Sequence, residues 1–316
     1  MKIFRSSSEV PLDFGPSVIT IGNFDGVHAG HRQIMRRVVE LAREMNAKPV
    51  VLTFDPHPAR VLAPDRAPRL LMSLDQRLRA MEAEGIEAVL LIPFSLDFAK
   101  LTPEEFVEQI LVRTLKTRAV LVGDDFRFGC RQSGNIATLR ELGQLHGFAL
   151  EAFSGIEHKR NRVSSTLVRD LIKQGRVSRA CRLLGEPFSL EGNVVPGQGI
   201  GSKQTVPTLN LAAESEVLPK TGVYITSTWD LESGRRWKSI TNVGYRPTFN
   251  GDSLTIETFL LEPLTGASPK RINVRFLAYL RDERRFENAE ALKTQILHDI
   301  GFANKLHRRL TKLHVG

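Results

Sequence analysis

The chain of 316 residues contains little cysteine and no long apolar run. Its two cysteines, Cys130 and Cys181, lie far apart in sequence and have no metal-type partner motif. This argues against a disulfide framework and for a reducing cytoplasm. No stretch approaches the roughly 20 apolar residues of a membrane span, and the N-terminus carries no apolar leader segment. We therefore expect a cytoplasmic protein without a membrane partner.

Aromatic residues are also sparse, at 7%, and form no platform beside the basic residues. The net charge of +9 is typical of nucleic-acid binders, but also of proteins that bind small polyanions such as ATP or pyrophosphate. The basic residues are spread along the chain with acidic residues between them. This pattern favours a solvated surface and predicts no dedicated nucleic-acid partner.

Hydrophobic patterning divides the chain in two, as expected for its length. As far as about residue 185, continuous apolar runs alternate with amphipathic helices, which predicts a Rossmann-like parallel sheet with helices on both faces. The predicted strands are Val18–Phe24, Pro49–Phe54, Ala88–Phe94, Arg118–Val122 and Phe148–Phe153. The predicted helices run from about His31 to Met45, from Thr102-Pro103 onward, and over Asn135–Leu145.

The pattern changes after Gly185. Short alternating strands separated by Gly, Pro and Asn continue to Tyr279 and predict an antiparallel β-barrel. A helix then begins with Asn288 as its N-cap and runs through Ile300. We expect an α/β domain over residues 1–185 and a barrel domain with a C-terminal helix over 186–316.

The segment GNFDGVHAGH concentrates glycine and histidine at the end of the first predicted strand. The carboxyl end of a parallel strand is where an open α/β sheet binds its ligand. His28 and His31, three apart at a helix start, should point to the same side, where imidazoles and helix-start N–H groups suit phosphate oxygens. Glycines allow a sharp turn and close backbone approach. They are Gly22, Gly26 and Gly30.

Three later segments follow in the same half. TFDPHP comes after the second predicted strand, and VGDDFRFG after the fourth. VSSTLVR lies at the start of a predicted helix. Its hydroxyls at the helix N-terminus and its arginine one turn later can together bind a phosphate group. Hydroxyls in that position are also typical of helix capping, and the aromatic residues of the other segments are equally compatible with an ordinary core.

In this order, the segments resemble the bacterial bifunctional riboflavin kinase/FAD synthetases, which belong to the HxGH nucleotidyltransferases. The likeness covers about residues 18 to 300. It implies a nucleotidyltransferase domain in which His28 and His31 stabilise charge while FMN is adenylylated by ATP. ATP and its phosphates would bind Gly22, Phe24, Gly26, Gly30, Ser164, Ser165, Thr166 and Arg169. The flavin would contact Phe54, Pro56, His57, Pro58, Asp125, Phe126 and Phe128, since aromatic walls suit an isoalloxazine ring.

The resemblance extends into the barrel. Riboflavin kinases carry a PTAN segment whose Thr and Asn oxygens hold the Mg²⁺ of ATP; this chain has PTLN, which places Mg²⁺ on Thr208 and Asn210. Glu257 stands where those kinases place the carboxylate that accepts the proton of the ribityl hydroxyl. Arg281, which opens RDERRF, would face the flavin, and NVGYRPTF resembles the family's NVGxRPT segment.

One loop departs from the family. The usual GRxLGFPTAN is here GSKQTVPTLN, so Ser202 replaces an arginine and Thr205-Val206 replaces Gly-Phe. Lys203 supplies a positive charge nearby, as a point charge and not as a bidentate fork.

Three hypotheses for the function of the chain follow from these observations. The chain makes FMN from riboflavin and then FAD with release of pyrophosphate; or it only adenylylates FMN and its barrel binds flavin without catalysis; or it is an HxGH-type RNA-binding protein.

Overall fold

A computed structural model describes residues 1–154, 157–158, 161–196, 208–248, 251–284 and 286–313. The chain forms two compact units, Met1–Ser165 and Thr166–Gly316. None of the helices in the described ranges is long and apolar enough to cross a membrane.

Parallel strands and helices alternate in the first unit. The strands are β1 (Lys2–Phe4), β2 (Ser17–Ile21), β3 (Lys48–Asp55), β4 (Ala88–Pro93), β5 (Thr117–Gly123) and β6 (Ala149–Phe153), followed by the short antiparallel pair β7 (Glu157–His158) and β8 (Asn161–Arg162). The helices are α1 (Ala29–Glu44), α2 (Pro58–Leu62), α3 (Leu74–Ala83), α4 (Pro103–Phe106), which continues as a π-helical stretch (Val107–Thr114), and α5 (Ile136–His146).

The sheet has the order β1-β4-β3-β2-β5-β6, and every neighbouring pair is parallel. Both faces are covered, because successive side chains of β2 enter different cores. Val18 packs in the cluster that contains Met35 of α1. Ile19 packs in the cluster that contains Leu139 of α5. The predicted parallel sheet with helices on both faces is therefore confirmed.

Within the parallel sheet, one predicted strand was placed too far along at its end and one strand was missed; the short pair β7 and β8 was not predicted either. The first strand was expected to reach Phe24, but β2 ends at Ile21, since Phe24 has a left-handed φ of 50° that a strand does not accommodate. The missed strand is β1, which has only three residues and pairs with the edge of β4. The predicted helix start at Thr102 is confirmed by a complete capping box with Glu105.

The second unit combines helices with a closed antiparallel barrel. Its helices are α6, which begins at the unit boundary (Ser165–Lys173), α7 (Val177–Leu184) and α8 (Ala289–Leu313). Its strands are β9 (Ser189–Val195), β10 (Thr208–Ala213), β11 (Gly222–Asp230), β12 (Arg236–Thr248), β13 (Gly251–Leu260) and β14 (Arg271–Arg281). The barrel order is β10-β13-β12-β11-β14-β9, and the predicted antiparallel barrel with a C-terminal helix is confirmed.

The barrel interior mixes apolar residues with a buried hydroxyl network. Thr226 Oγ1 lies 2.7 Å from Ser239 Oγ and 2.8 Å from Thr241 Oγ1, which in turn lies 3.0 Å from Thr258 Oγ1. Since interior and exterior side chains alternate along each strand, Glu257, between buried Ile256 and Thr258, lies on the outer face.

The change from helix to barrel strand falls between Leu184, the end of α7, and Ser189, the start of β9. This is where the sequence pattern changes. Helix α7 nevertheless packs on the barrel within the second unit, where the Ser178 hydroxyl donates a hydrogen bond to the carbonyl of Leu277 at 2.7 Å.

Candidate active sites

The glycine- and histidine-rich segment forms the turn between β2 and α1. In the sheet order, β3 lies on one side of β2 and β5 on the other, so this turn stands at the topological switch point where α/β sheets bind ligands. His28 is the N-cap of α1, and its Nδ1 accepts a hydrogen bond from the backbone N–H of His31 at 3.4 Å. The two imidazole rings stack with centroids 3.7 Å apart and planes 13° from parallel. The expectation that both histidines point to the same side is confirmed.

The backbone of this turn is strained where the histidines are held. Besides Gly26, the non-glycine residues Phe24 (φ 50°) and Val27 (φ 36°) have positive φ. A Cβ at Gly30 would lie 3.2 Å from Cε1 of His28, so glycine allows the ring to pack against the helix start. Strained conformations of this kind persist where surrounding contacts enforce them, and they cluster at functional sites.

Phe24 is 3% exposed and is wedged into the same turn. Its ring lies 5.1 Å from that of His31 in an edge-on contact, and a Cβ at Gly22 would lie 3.2 Å from the Phe24 ring. Phe24 therefore supports the histidine pair, and its predicted contact with ATP stays a prediction.

Burial fixes the charge state of both histidines. It lowers the pKa of His28 to about 4, and together with the neighbouring His28 it lowers the pKa of His31 well below its usual value. Both rings are therefore neutral at pH 7, which the sequence left open. Because Nδ1 of His28 is an acceptor, its proton lies on Nε2. Nδ1 of His31 is buried and has no hydrogen-bond partner among the described residues.

The turn is anchored by contacts that sequence reasoning missed. The carboxylate of Asp25 is 3% exposed and accepts hydrogen bonds from the backbone N–H groups of Leu71, at 2.9 Å, and Met72, at 3.3 Å. The buried guanidinium of Arg77 in α3 donates to the carbonyl of Asn23 at 2.9 Å. NFDG marked Asp25 as part of a motif, but no pattern in the sequence marked Arg77.

The serine cluster of VSSTLVR meets this turn. The hydroxyl of Ser165 donates a hydrogen bond to the carbonyl of Asp25 at 2.8 Å, which joins the start of α6 to the histidine segment across 140 residues of sequence. Ser164 precedes it, half-buried. Thr166 and Arg169 follow in the second unit, Thr166 exposed and Arg169 9% exposed on α6.

Aromatic side chains line the same edge of the sheet. Phe54, near the end of β3, packs against Phe94 and Phe98 at centroid distances of 5.5 and 6.0 Å. Phe126, after β5, stacks on Phe128 at 5.5 Å. Both Phe54 and Phe126 are partly exposed at the surface of the core. These two partly exposed rings form an aromatic wall. Phe128 is 7% exposed and belongs to the core, so it packs behind this wall.

The polar flavin candidates lie on the same edge. A cis peptide bond precedes Pro56, and His57 caps α2 by accepting the N–H of Ala59 at 3.1 Å, with Pro58 as the first helical residue. Asp125 is exposed after β5. Their contact with a flavin stays a prediction.

The barrel candidates form a row on its outer face. In the register, Asn210 of β10 stands directly opposite Glu257 of β13, and Glu257 stands directly opposite Asn242 of β12. Thr208 shares a face with Asn210, and its hydroxyl oxygen is buried without a hydrogen-bond partner among the described residues. The three residues that the sequence singled out, Thr208, Asn210 and Glu257, are thus brought together on adjoining strands.

The other barrel predictions, on Arg281 and on the departing loop, stay predictions. The guanidinium of Arg281 is bound to Asp299 of α8, with Nη2 2.9 Å and Nε 3.0 Å from Oδ2. In this arrangement Arg281 ties β14 to α8, and its predicted flavin contact stays a prediction. The departing loop, with Ser202, Lys203 and Thr205-Val206, lies outside the described residues.

In comparisons with known proteins, the N-terminal and C-terminal parts of the chain match two different family models. A family model described as FAD synthetase matches residues 11–167, and one described as riboflavin kinase matches residues 184–307. A protein of Pseudomonas fluorescens named bifunctional riboflavin kinase/FMN adenylyltransferase is 37% identical over 97% of this chain and 98% of its own length. The chain belongs to the bifunctional riboflavin kinase/FMN adenylyltransferase family.

Further relatives extend the comparison. A family member of the same name from Escherichia coli strain K12 is 35% identical over 95% of this chain and 96% of its own length. A solved structure described as a macrolide-efflux protein from Streptococcus pneumoniae has a TM-score of 0.86 and 25% identity, and covers 96% of this chain and 98% of its own. The relative and the solved structure each match nearly the whole chain.

Proposed function

We propose that the chain makes FAD in two steps, phosphorylating riboflavin in the barrel unit and adenylylating the resulting FMN in the α/β unit. The observation that carries the adenylyl transfer is the stacked, neutral pair His28 and His31 at the switch point of the sheet. The observation that carries the kinase is the row of Asn210, Glu257 and Asn242 beside the Thr208 hydroxyl, which has no hydrogen-bond partner among the residues that the structure describes.

In the adenylyl transfer, a phosphate oxygen of FMN attacks the α-phosphorus of ATP, the bond to the β-phosphate breaks, and pyrophosphate leaves. Neutral imidazoles serve this step as hydrogen-bond donors. Nε2–H of His28 is available because its Nδ1 is occupied as an acceptor. The N–H groups at the start of α1 add the positive end of a helix dipole, which favours a developing negative charge. The Ser165 hydroxyl adjoins the same turn.

The aromatic wall gives this unit a place for the flavin ring. Phe54 and Phe126 present partly exposed rings at the carboxyl edge of β3 and β5, the edge that also carries the histidines. A flat heteroaromatic ring gains both buried area and ring contacts on such a surface.

In the phosphorylation, Glu257 accepts the proton of the terminal ribityl hydroxyl, whose oxygen attacks the γ-phosphorus of ATP as ADP leaves. The residues present fit a hard divalent cation, because Thr208 and Asn210 offer neutral oxygens on one face and the Thr208 oxygen has no partner within the described part of the chain. We assign Mg²⁺ to these two residues. When bound, it would offset the charge of the ATP phosphates.

The test is a product assay. Riboflavin and FMN are supplied separately with Mg-ATP, and the flavins are separated by chromatography. We expect FMN and then FAD from riboflavin, and FAD with pyrophosphate from FMN. FAD from FMN without any FMN from riboflavin would remove the kinase and leave a barrel that only binds flavin. Tight, steeply salt-dependent RNA binding without flavin turnover would remove both activities.

A further inference from the structure

Asn242, next to the proposed kinase site, uses only one side of its amide group in the hydrogen bonds of the described residues. Its Nδ2 donates to Oε1 of Glu283 at 2.9 Å. Its Oδ1 is buried and has no hydrogen-bond partner among the described residues. A buried acceptor without a donor is destabilising, because it loses its hydrogen bonds to water and gains none in the protein, so its presence beside the proposed kinase site requires an explanation.

Glu283 fixes which way this amide points. A carboxylate only accepts hydrogen bonds, so the NH₂ group of Asn242 must face it and the carbonyl oxygen must face away. Glu283 is itself held close to β12, because a Cβ at Gly244 would lie 2.0 Å from its Oε1, a space that only glycine leaves open. The chain thus holds the Asn242 oxygen in one orientation.

The barrel register shows what this oxygen faces. Asn242 and Asn210 stand directly opposite Glu257 from its two neighbouring strands, with Cα separations of about 4.5–5.5 Å expected for such pairs. Directly opposite residues share a face of the sheet. Glu257 therefore lies between the metal-side residue Asn210 on one side and Asn242 on the other.

We propose that Oδ1 of Asn242 accepts a hydrogen bond from a hydroxyl of the ribityl chain, and that Glu283 is the positioning residue that orients it. This rests on the kinase activity proposed above. In this arrangement the ATP phosphates lie on the Asn210 side of Glu257, the proposed general base, and the reacting hydroxyl lies at Glu257 itself. The remainder of the polyol chain then extends toward Asn242, and its hydroxyls are the donors that the unpartnered oxygen lacks.

The first test compares Asn242→Ala with a matched control, Asn273→Ala. Asn273 has the same arrangement elsewhere on the barrel: its Nδ2 donates to Glu191 at 2.7 Å and its Oδ1 is buried without a partner within the described ranges. We expect Asn242→Ala to raise KM for riboflavin at least tenfold, with KM for ATP unchanged within twofold. Asn273→Ala should leave both KM values within twofold of the wild type.

The second test exchanges donor and acceptor. Asn242→Asp alone puts two carboxylates together and should raise KM for riboflavin. Adding Glu283→Gln restores one donor and one acceptor with the original net charge, and leaves an acceptor oxygen free at position 242. The double variant should recover most of the riboflavin affinity, a recovery that a general loss of structure would not give.

The outcomes separate this inference from the proposed function. Tryptophan fluorescence is measured in every variant as a check on the folding of the barrel unit, which contains both tryptophans of the chain, Trp229 and Trp237. If the wild type makes FMN but Asn242→Ala leaves KM for riboflavin unchanged, or raises KM for ATP instead, the assignment of Asn242 is overturned and the kinase stands. Absence of recovery in the double variant overturns the role of Glu283. If the wild type makes no FMN, the proposed kinase itself fails.

Discussion

Acid should destabilise the α/β unit through a buried histidine at its proposed active site. His28 is 7% exposed, and burial lowers its pKa to about 4, against about 6.5 in an unfolded chain. Between these two values the unfolded state binds a proton that the folded state does not, so stability falls as the pH falls from 6.5 toward 4. His31 has a pKa lowered in the same direction.

The size of the effect follows from the two pKa values. Taking the pH from 7 to 5 should cost the folded state roughly 2 kcal/mol through His28 alone, on the scale of about 1.4 kcal/mol per pKa unit. Below pH 4 the folded state also binds the proton, and the contribution levels off. The matched variant is His28→Asn, because Asn is a good N-cap residue but does not titrate.

The assay is urea unfolding of the full chain at pH 7 and pH 5, in wild type and His28→Asn. Circular dichroism follows both units. Tryptophan fluorescence follows the barrel, since Trp229 and Trp237 are the chain's two tryptophans and both lie in the second unit. Between pH 7 and pH 5, the free energy of unfolding of the α/β unit should fall by roughly 2 kcal/mol more in the wild type than in His28→Asn. The fluorescence transition, which reports on the barrel, should shift equally in the two proteins. Equal pH dependence of both transitions in both proteins would refute the reasoning.

Three further substitutions have separate expected outcomes. Thr208→Val removes a hydroxyl that has no protein partner within the described residues, so it should leave stability unchanged in urea unfolding while raising the Mg²⁺ concentration needed for riboflavin phosphorylation. Asp25→Asn weakens the hydrogen bonds to the Leu71 segment and should lower stability by about 1–3 kcal/mol and reduce FAD formation from FMN, whereas unchanged values of both would contradict the anchoring role. Arg281→Gln leaves the buried Asp299 carboxylate without its cation and should destabilise the barrel by about 3 kcal/mol in the fluorescence assay; an unchanged midpoint would show that the ion pair is dispensable.

Local patterns predicted much of the fold. Apolar runs located five of the six strands of the parallel sheet, and the spacing of His28 and His31 predicted their shared direction, since both depend on periodicity over a few residues. The missed strand β1 is too short to show a pattern. The end of β2 was placed too far along because the sequence does not show that Phe24, although apolar, adopts a left-handed backbone conformation and ends the strand.

Long-range contacts account for what the sequence could not show. Asp25 is bound by backbone groups 46 residues later in the chain, and no periodicity connects them. The neutral state of the histidines depends on burial, which arises only when the chain is folded. For the same reason, sequence did not separate Phe128, in the core, from Phe126 at its surface.

The central claim, that one chain carries two independent active sites, is tested most directly by the products formed from riboflavin and Mg-ATP by His31→Ala. The α/β unit of this variant should lose one of the two imidazoles proposed for adenylyl transfer, while the barrel row around Glu257 is untouched. We predict that the variant accumulates FMN at close to the wild-type rate and makes little FAD. Equal loss of FMN and FAD would contradict the assignment of the two steps to separate sites.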